Sequence, residues 1–406
     1  MKVLLVNKFH WYKGGAEKYY FELGQLLKEH GHEVAYFSME DRRNIVTGYK
    51  EYFVPNCDFD TVSKFRAFNI IYNKKNARIM AHALDEFKPD IVHLNNFQRQ
   101  LSSSIIKPII QRNIPIIYTA HDYQALCPAI SMLDNEGTVC EKCIGGKYGN
   151  CIYKSCIKGS RLRSILGAIE AVYYRYTKIY RDKIDHIITP ANFSTQKFIE
   201  DGFQKDKVTA IHNSIDIDEY RLDTEDNGYI LYFGRLSREK GIYELLDAFS
   251  KCHIGKLCIA GDGPERNKIE KMVKTNNLNI DLLGKLDKHK MREVIAKCRF
   301  VVVPSVWYEN CSYVLLEALA IGKAVIGSNI GGIPELLKDG LNGLLYNNKW
   351  ELTEKMQLLY EDDNLLKTLQ NNALQLPAEL INRQIYYDRL MKIYREQIKK
   401  HNTKAL

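Results

Sequence analysis

Short apolar runs alternate with amphipathic helical segments along the 406-residue chain, and no other feature limits the possible folds as much. Such runs are typical of buried strands, and a helix between successive strands favours parallel pairing. In the first half the runs lie at residues 3–6, 34–37, 91–94, 116–119, 186–189 and 208–211. In the second half they lie at residues 229–233, 257–260, 280–283, 300–303 and 324–327. We therefore predict an α/β protein with two doubly wound, Rossmann-like domains that face each other across a cleft.

An acidic and polar segment, residues 215–228, divides the chain into two parts. We predict an N-terminal domain over residues 1–215 and a C-terminal domain over residues 216–377. From Trp350 onwards the pattern is helical, and we expect the last helix, within residues 378–406, to cross back and pack on the first domain. A chain of this length can bury two cores. Ligands of such sheets bind beyond the carboxyl ends of the strands.

The stretch 304–346 contains two glutamates, Glu309 and Glu317, and the polar turn between them leads into an apolar helical pattern. Ser312 suits the start of that helix, since its hydroxyl can accept a backbone N–H, and Gly322 suits its end. The helix start would then aim N–H groups and a positive dipole end at an anion. Carboxylates beside an anion site suit a ligand with both phosphates and hydroxyls, such as a nucleotide sugar.

A basic loop follows the first predicted strand of the second domain. Gly234 permits a tight turn there, and Arg235 and Lys240 are suited to holding a diphosphate without a metal. The alternative is a surface loop with ordinary charges. Glycine-rich turns at residues 261–265 and 331–335 follow later strands, and the first of them suits a structural turn as well as a ligand contact.

Three features of the first domain lie where a ligand is expected. Gly14 and Gly15 precede a helix; they do not form a dinucleotide fingerprint, but they can admit a phosphate or a sugar. His121 follows a predicted strand and is suited to contacting sugar hydroxyls. His212 follows the last strand of the domain, and we expect it to line the cleft. A flexible turn and a structural histidine are the alternatives for the glycine pair and for His121.

Half of the ten cysteines lie in a glycine-rich insertion, residues 127–156. The spacing of Cys140, Cys143, Cys151 and Cys156 suits a tetrahedral structural zinc. A metal would order a segment that has little else to make a core. Free thiols, disulfides and an iron–sulfur cluster are the alternatives, and a reducing cytosol disfavours disulfides.

The chain carries a net charge of +9, and much of the excess lies in residues 154–183, among four tyrosines. This segment suits an anionic membrane surface or an anionic acceptor, or it forms an ordinary solvated helix face. No nucleic-acid-binding motif accompanies the charge, so we expect no nucleic acid partner. The chain begins with no secretory signal, and no apolar run approaches the roughly 18 residues of a spanning helix. We therefore expect a cytoplasmic protein.

The most specific motifs are FGRLSREKG at residues 233–241, AGDGP at 260–264 and PSVWYENCSYVLLEALAIGKAVIGSNIGGIPELLKDGLNGLL at 304–345. They resemble the motifs of the retaining family 4 glycosyltransferases, which have the GT-B fold. Glu309 and Glu317 match the family's pair of glutamates. The GGAE, HD and HNSID stretches look like the family's looser landmarks in the first domain, so the resemblance covers nearly the whole chain.

The resemblance implies a role for individual residues. Arg235 and Lys240 would hold the donor diphosphate, Glu309 would bind the donor sugar hydroxyls, and Glu317 would bind the ribose. Where many members have Pro-Phe-Gly after the first glutamate, this chain has Asn310-Cys311-Ser312, so only the backbone contacts carry over. The implied catalytic residues are His121, Arg235, Lys240 and Glu309. The implied donor-binding residues are Gly14, Gly15, Gly234, Arg235, Lys240, Glu309, Asn310, Cys311, Ser312 and Glu317.

The reaction implied is sugar transfer from a nucleotide-diphosphate sugar to a glycan or lipid-linked acceptor, with retention of configuration and without a catalytic metal or other cofactor. Family analogy and the basic segment suggest bacterial surface polysaccharide synthesis at the inner face of the membrane. The alternatives are a nucleotide-sugar epimerase of the same fold and an inactive subunit that binds a nucleotide sugar. The motifs do not identify the base, the sugar or the acceptor.

Overall fold

The computed structural model describes residues 1–57, 69–222 and 224–404, and these divide into two compact units. The first unit comprises Met1–Glu136, Cys140–Ile211 and Gln384–Leu406, and the second comprises Gly137–Val139 and His212–Arg383. The end of the chain therefore belongs to the same unit as its beginning.

The first unit is built on a seven-stranded sheet in the order β3-β2-β1-β4-β5-β6-β7, and every neighbouring pair is parallel. Its strands are β1 Lys2–Val6, β2 Glu33–Met39, β3 Lys50–Val54, β4 Ile91–Leu94, β5 Ile116–Thr119, β6 His186–Thr189 and β7 Val208–Ala210. The helices between them are α1 Gly15–Glu29, α2 Lys74–Phe87, α3 Ile106–Gln111, α4 Gly149–Tyr153, α5 Arg161–Tyr176 and α6 Asn192–Glu200.

The last helix of the chain, α15 (Arg383–Lys404), packs on the first unit. The ring of Tyr387 stacks on that of His30, with centroids 3.7 Å apart. Arg389 donates from Nη2 to the carbonyl oxygen of Ala210, the last residue of β7, at 2.7 Å. These contacts join the last helix to the end of α1 and to the last strand of the sheet.

The second unit is built on a six-stranded parallel sheet in the order β10-β9-β8-β11-β12-β13. Its strands are β8 Tyr229–Phe233, β9 Lys256–Ala260, β10 Ile280–Gly284, β11 Phe300–Val303, β12 Val325–Ser328 and β13 Gly343–Tyr346. Its helices are α7 Ile242–Lys251, α8 Arg266–Thr275, α9 Lys288–Lys297, α10 Tyr313–Ala320, α11 Ile333–Leu336, α12 Lys349–Glu361, α13 Asp363–Ala373 and α14 Ala378–Ile381.

Successive residues of the central strands pack into different cores on the two faces of this sheet. Leu231 and Phe233 of β8 belong to one buried cluster, whereas Ile230 and Tyr232 belong to the other. Since strand side chains alternate between faces, both faces must be covered, and fully burying each large apolar side chain contributes about 1.5–3 kcal/mol. The predicted α/β architecture with two parallel, Rossmann-like units is confirmed.

The sequence pattern missed one edge strand in each sheet. β3 reads KEYFV and is only partly buried, so it lacks the continuous apolar run of an interior strand. β13 begins at Gly343, within an Asn-Gly pair that is typical of a turn. The pair was therefore interpreted as a turn, and the strand that starts there was not predicted. The predicted final helix is also interrupted at Asn382, which separates α14 from α15.

Within the described part of the chain, no helix is both long enough and apolar enough to cross a membrane.

Gly241 is required by close packing as well as by its backbone conformation. Its φ is +69°, and a Cβ there would lie 1.6 Å from the carbonyl oxygen of Pro304. Gly340 has a similar φ of +71°, but a Cβ there would meet no atom within 4 Å.

Gly340→Ala should lower the free energy of unfolding by about 1–2 kcal/mol, because of the left-handed backbone alone. Gly241→Ala should lower it clearly more. Urea unfolding, followed by Trp307 and Trp350 fluorescence in a Trp11→Phe chain, measures both. Equal losses would refute the packing argument.

His93 on β4 is buried between two hydroxyls, with Nε2 2.7 Å from Thr119 Oγ1 and Nδ1 against the Tyr394 hydroxyl of α15. Burial lowers the pKa of His93 from 6.5 to about 3, and the nearby His121 contributes in the same direction. The unfolded chain therefore binds this proton at a higher pH than the folded chain does. The stability that is linked to protonation of His93 is fully present above pH 6.5, and it is lost as the pH decreases towards 3.

We expect His93 to contribute a loss of about 1.4 kcal/mol per pH unit in that window. Urea unfolding at several pH values, followed by Trp11 fluorescence in a chain with Trp307→Phe and Trp350→Phe, isolates the first unit. Other buried histidines act in the same direction, so the test is the difference between this chain and its His93→Gln variant. The variant should show a shallower loss towards acid, and an unchanged slope would contradict the assignment.

Candidate active site

Lys240 and Glu309 form an ion pair beyond the carboxyl ends of two neighbouring strands. Lys240 lies in the loop after β8, and Glu309 lies in the loop after β11, which pairs with β8. Lys240 Nζ donates to Glu309 Oε1 at 2.6 Å, and Ser305 Oγ donates to the same oxygen at 2.6 Å. The parallel register of the strands thus brings together two residues that are far apart in sequence.

The Glu309 carboxylate stays ionised although its residue is only 5% exposed. Burial by itself raises the pKa of Glu309, but the Lys240 ammonium and the hydrogen bonds from Lys240 and Ser305 outweigh that effect and leave the pKa below its ordinary value. An ionised carboxylate accepts hydrogen bonds and does not donate a proton. The geometry therefore fits a group that holds hydroxyls or a cation, and it does not fit a general acid.

The loop after β12 fixes the backbone of Glu309. Gly332 donates its N–H to the Glu309 carbonyl oxygen at 2.6 Å. A Cβ on Gly331 would lie 2.6 Å from the same oxygen, and its φ is +61°. Gly331 thus has a structural reason, since no larger residue allows this approach.

The AGDGP turn supports the basic loop by the same kind of contact. A Cβ on Gly261 would lie 1.9 Å from the Gly234 carbonyl oxygen, and one on Gly263 would lie 2.2 Å from that of Leu236. Leu236 also donates its N–H to the Asp262 carbonyl at 2.9 Å. Close packing of two loops is therefore enough to explain these glycines.

Arg235 stands apart from the Lys240–Glu309 pair. Its side chain is 49% exposed, and Nη1 lies 3.9 Å from Glu239. The Tyr232 hydroxyl donates to the Arg235 backbone carbonyl at 2.8 Å, which holds the loop while the guanidinium remains in solvent.

Helix α10 starts where the sequence predicts, but without the predicted capping bond. Ser312 occupies the N-cap position, yet its hydroxyl makes no capping hydrogen bond to any residue that the structure describes. The serine is buried, and it contributes its backbone carbonyl to the helix, which accepts from Leu316 at 3.1 Å. The capping prediction is therefore wrong. Gly322 has a φ of +77° just beyond the last turn, as predicted for a helix end.

Glu317 and the 212–214 stretch have partners that the sequence did not indicate. The Tyr220 hydroxyl donates to Glu317 Oε1 at 3.1 Å. His212 Nε2 lies 2.7 Å from Glu335 Oε2, and Asn213 Nδ2 donates to the Cys311 carbonyl at 3.1 Å. These partners lie in other segments of the second unit, and Glu335 belongs to α11. A search for polar residues directly after each predicted strand would have found Ser305, but not Tyr220.

In the first unit, His121 is held in one tautomer. Asn95 donates from Nδ2 to the Val6 carbonyl, so its Oδ1 is the acceptor that faces His121 Nε2 at 2.9 Å. The Nε2–H of His121 therefore donates. Burial lowers the pKa of His121 to about 3, so the ring is neutral at neutral pH.

Gly14 and Gly15 lie at the start of α1, as predicted. Gly14 is the N-cap residue in an extended conformation, and a Cβ there would meet only the Glu17 carboxylate, at 3.8 Å. Neither the backbone conformation nor packing among described residues requires a glycine at position 14.

A buried group of charges in the same unit was not predicted. Arg99, beyond β4, donates from Nε to Glu170 Oε2 of α5 at 3.3 Å and from Nη2 to the Pro128 carbonyl at 2.7 Å. Lys8, beyond β1, and Asp122, beyond β5, lie close enough to affect each other's pKa. Arg99, Lys8 and Asp122 each follow the end of a strand, and this position could have indicated from the sequence that they lie near one another.

Three of the four predicted zinc ligands come together, and a different cysteine joins them. Cys143, Cys151 and Cys156 belong to one cluster against α5. The side chains of Cys127 and Cys143 interact, as do those of Cys151 and Cys156. Cys140 is partly buried. No group of three or more His, Cys, Asp or Glu side chains in the described ranges is arranged so that it could hold a metal ion.

Two family models match consecutive parts of the chain. Residues 13–219 match the model described as Glycosyltransferase Family 4, and residues 215–376 match that described as Glycosyl transferases group 1. Together they cover residues 13–376, which include every strand except β1 and the loops that carry His121, Lys240 and Glu309.

Individual relatives and solved structures agree with these models. An uncharacterized glycosyltransferase of Methanocaldococcus jannaschii is 28% identical over 92% of both chains. An alpha-1,4-N-acetyl-D-galactosaminyltransferase of Campylobacter jejuni, whose name begins with GalNAc-alpha-(1->4)-GalNAc-alpha-(1->3)-diNAcBac-PP-undecaprenol, is 28% identical over 52% of this chain and 54% of its own. The fold resembles that of Anabaena HepE, solved in complex with UDP-glucose, with a TM-score of 0.69 and 18% identity over 98% of this chain and 100% of that one.

One family model matches more than half of the sequence, and the loops at the strand ends and the glutamate pair point to the same family. The chain belongs to glycosyltransferase family 4 and is a glycosyltransferase of the GT-B fold.

Proposed function

We propose that this glycosyltransferase moves a sugar from a nucleotide-diphosphate sugar to a glycan or lipid-linked acceptor, with retention of configuration and without a catalytic metal. The observation that carries the proposal is the contact between Lys240 and Glu309 at the ends of neighbouring strands. A cation beside a buried carboxylate suits a ligand that carries both phosphates and hydroxyls. Bacterial surface polysaccharide synthesis in the cytoplasm remains the proposed setting.

In this proposal, Lys240 and Arg235 bind the donor diphosphate. Arg235 is half exposed and pairs with Glu239 at 3.9 Å, so its guanidinium can turn to a phosphate at little cost. Lys240 is held at Glu309 by a single carboxylate oxygen, and a bound phosphate would share that ammonium. Glu309, ionised and acceptor-only, would then accept hydrogen bonds from the donor sugar hydroxyls.

The bond from the anomeric carbon to the diphosphate oxygen breaks as the bond to the acceptor oxygen forms on the same face. The acceptor proton passes to the leaving diphosphate. The negative charge that develops on that leaving group is the main thing to stabilise, and Lys240, Arg235 and the backbone N–H groups at 310–312 would do so. Glu317 would bind the ribose, with the Tyr220 hydroxyl orienting its carboxylate.

The first unit would contribute Gly14, Gly15 and His121. Nothing in the described packing demands a glycine at position 14, which is consistent with a ligand that approaches the backbone there. A neutral His121 would contact sugar hydroxyls by hydrogen bonding rather than by charge. The named ligand of HepE and the undecaprenol-linked glycan in the name of the Campylobacter enzyme support the proposed classes of donor and acceptor.

Lys240→Ala should lower turnover about 10²–10³-fold, since removing one donor to a developing charge commonly costs that much. The measurement is release of nucleoside diphosphate from a panel of nucleotide sugars, with and without candidate glycan and lipid-linked acceptors. Lys251→Ala is the matched control, because Lys251 is an exposed lysine paired with Asp247 in the same unit. It should keep full activity.

Lys240→Ala also leaves the Glu309 carboxylate buried without its cation, so folding must be checked by circular dichroism and by thermal unfolding. Combining Lys240→Ala with Glu309→Gln removes that charge and should restore the fold without restoring turnover. Near-normal turnover of a folded Lys240→Ala chain would refute the assignment. Sugar isomerisation without transfer would favour the epimerase, and binding without any turnover would favour the inactive subunit.

We also keep zinc binding by Cys140, Cys143, Cys151 and Cys156 as a prediction; since the described side chains form no ready metal site, the thiols would have to move together on binding. The contact of Cys127 with Cys143 adds a competing ligand for the position of Cys140. Protein purified without chelator should contain one zinc per chain by elemental analysis, and Cys143→Ser should lose it. Comparing the zinc content of the Cys127→Ser and Cys140→Ser variants then decides which of the two thiols is the fourth zinc ligand. Absence of zinc from the unmodified chain would overturn the prediction.

A further inference from the structure

Helix α5 exposes an apolar stripe on the side that faces away from its own unit. Six residues of the helix are exposed, and Arg161 is the one polar residue among them. The other five, spaced three or four residues apart, are Leu162 (65% exposed), Ile165 (36%), Ile169 (45%), Val172 (55%) and Tyr176 (86%). Since helix positions three and four apart lie on one face, these side chains form a continuous surface, the α5 stripe.

The opposite face of α5 is fixed, so the helix cannot turn to bury its stripe. Glu170 is buried and paired with Arg99. Gly167 lies so close to Ile157 that a Cβ there would approach its side chain within 2.4 Å. Ser160 caps the helix by accepting the N–H of Arg163. The exposure of the stripe is therefore a property of the folded unit.

The charges around the stripe favour an anionic surface. Exposed cations lie at both ends, with Lys158 and Arg161 before the stripe and Lys178 and Lys183 after it, and the exposed Asp182 offsets one of them by pairing with Lys178 at 3.3 Å. Glu170, the only acidic residue of α5, is buried. Long basic side chains beside an apolar helix face can reach phosphate headgroups while the apolar face enters the boundary with the acyl chains.

The dimensions of the stripe favour a bilayer over a second protein. From Leu162 to Tyr176 the helix rises about 21 Å, and a single helix is about 10 Å wide, which gives roughly 200 Å². A stable protein interface needs about 800 Å² from each partner. We propose that the α5 stripe is a membrane-docking surface, which inserts in the plane of a bilayer that contains anionic lipids. The proposal does not depend on the transfer reaction.

Vesicle flotation of the full chain tests it. The chain should float with vesicles of phosphatidylcholine mixed with phosphatidylglycerol, and salt should weaken the binding. Vesicles of phosphatidylcholine alone should bind less. Ile169→Asp and Val172→Asp should each weaken binding at least about tenfold, because each removes one apolar contact with the acyl region. Leu358→Asp, at a residue with 47% exposure in the second unit, is the matched control and should bind normally.

Circular dichroism and turnover of each variant separate loss of docking from loss of fold or of catalysis. A second readout is the Tyr176→Trp variant, whose fluorescence should be quenched by brominated lipids. The proposal fails if the chain does not bind anionic vesicles, or if the Asp variants bind as well as the unmodified chain. It also fails if the variants convert a dimer to a monomer in the absence of lipid, since the stripe would then be a protein interface.

Discussion

The candidate site of the second unit depends on the buried carboxylate of Glu309, which is stable in the interior only while it is paired and hydrogen-bonded. An unpaired ion in a protein interior costs several kcal/mol, and Glu309 avoids that cost through one ammonium and one hydroxyl on the same oxygen. Gly331 allows the β12 loop to approach the Glu309 backbone, and Gly332 donates its N–H to the Glu309 carbonyl oxygen. The position of Lys240 beside Glu309 thus satisfies the buried charge, and the β12 loop fixes the backbone from which that charge extends. A side chain held in this way is preorganised, because its orientation is fixed before a ligand arrives.

Much of the fold follows from the periodicity of the sequence, because interior parallel strands are continuous apolar runs. That reasoning located the interior strands and also the edge strands β7 and β10, and it failed at β3, which begins with two charged residues, and at β13, which begins inside an Asn-Gly pair. An edge strand is specified by a neighbour on one side only. Its own sequence therefore carries less of the signal.

The site divides in a similar way. Lys240 and Glu309 could be predicted because each follows a strand, and parallel strands end at the same edge of a sheet. The Tyr220–Glu317 and His212–Glu335 contacts could not, since each joins segments whose meeting depends on how loops fold over that edge. The cysteines give the clearest case. Spacing alone selected Cys140, whereas the fold places Cys127, from a loop before the insertion's CxxC pair, against Cys143.

The packing of α15 on the first unit sets an order of events during synthesis. The second unit is nearly continuous in sequence, and it ends at Arg383, the first residue of α15. The first unit begins at residue 1, yet Tyr394 of α15 bonds to His93 in the middle of its sheet. On the ribosome, the first unit must wait with that part of its sheet uncovered until the last residues emerge. The unit that starts first is thus completed last, and its closing contacts span nearly the whole chain.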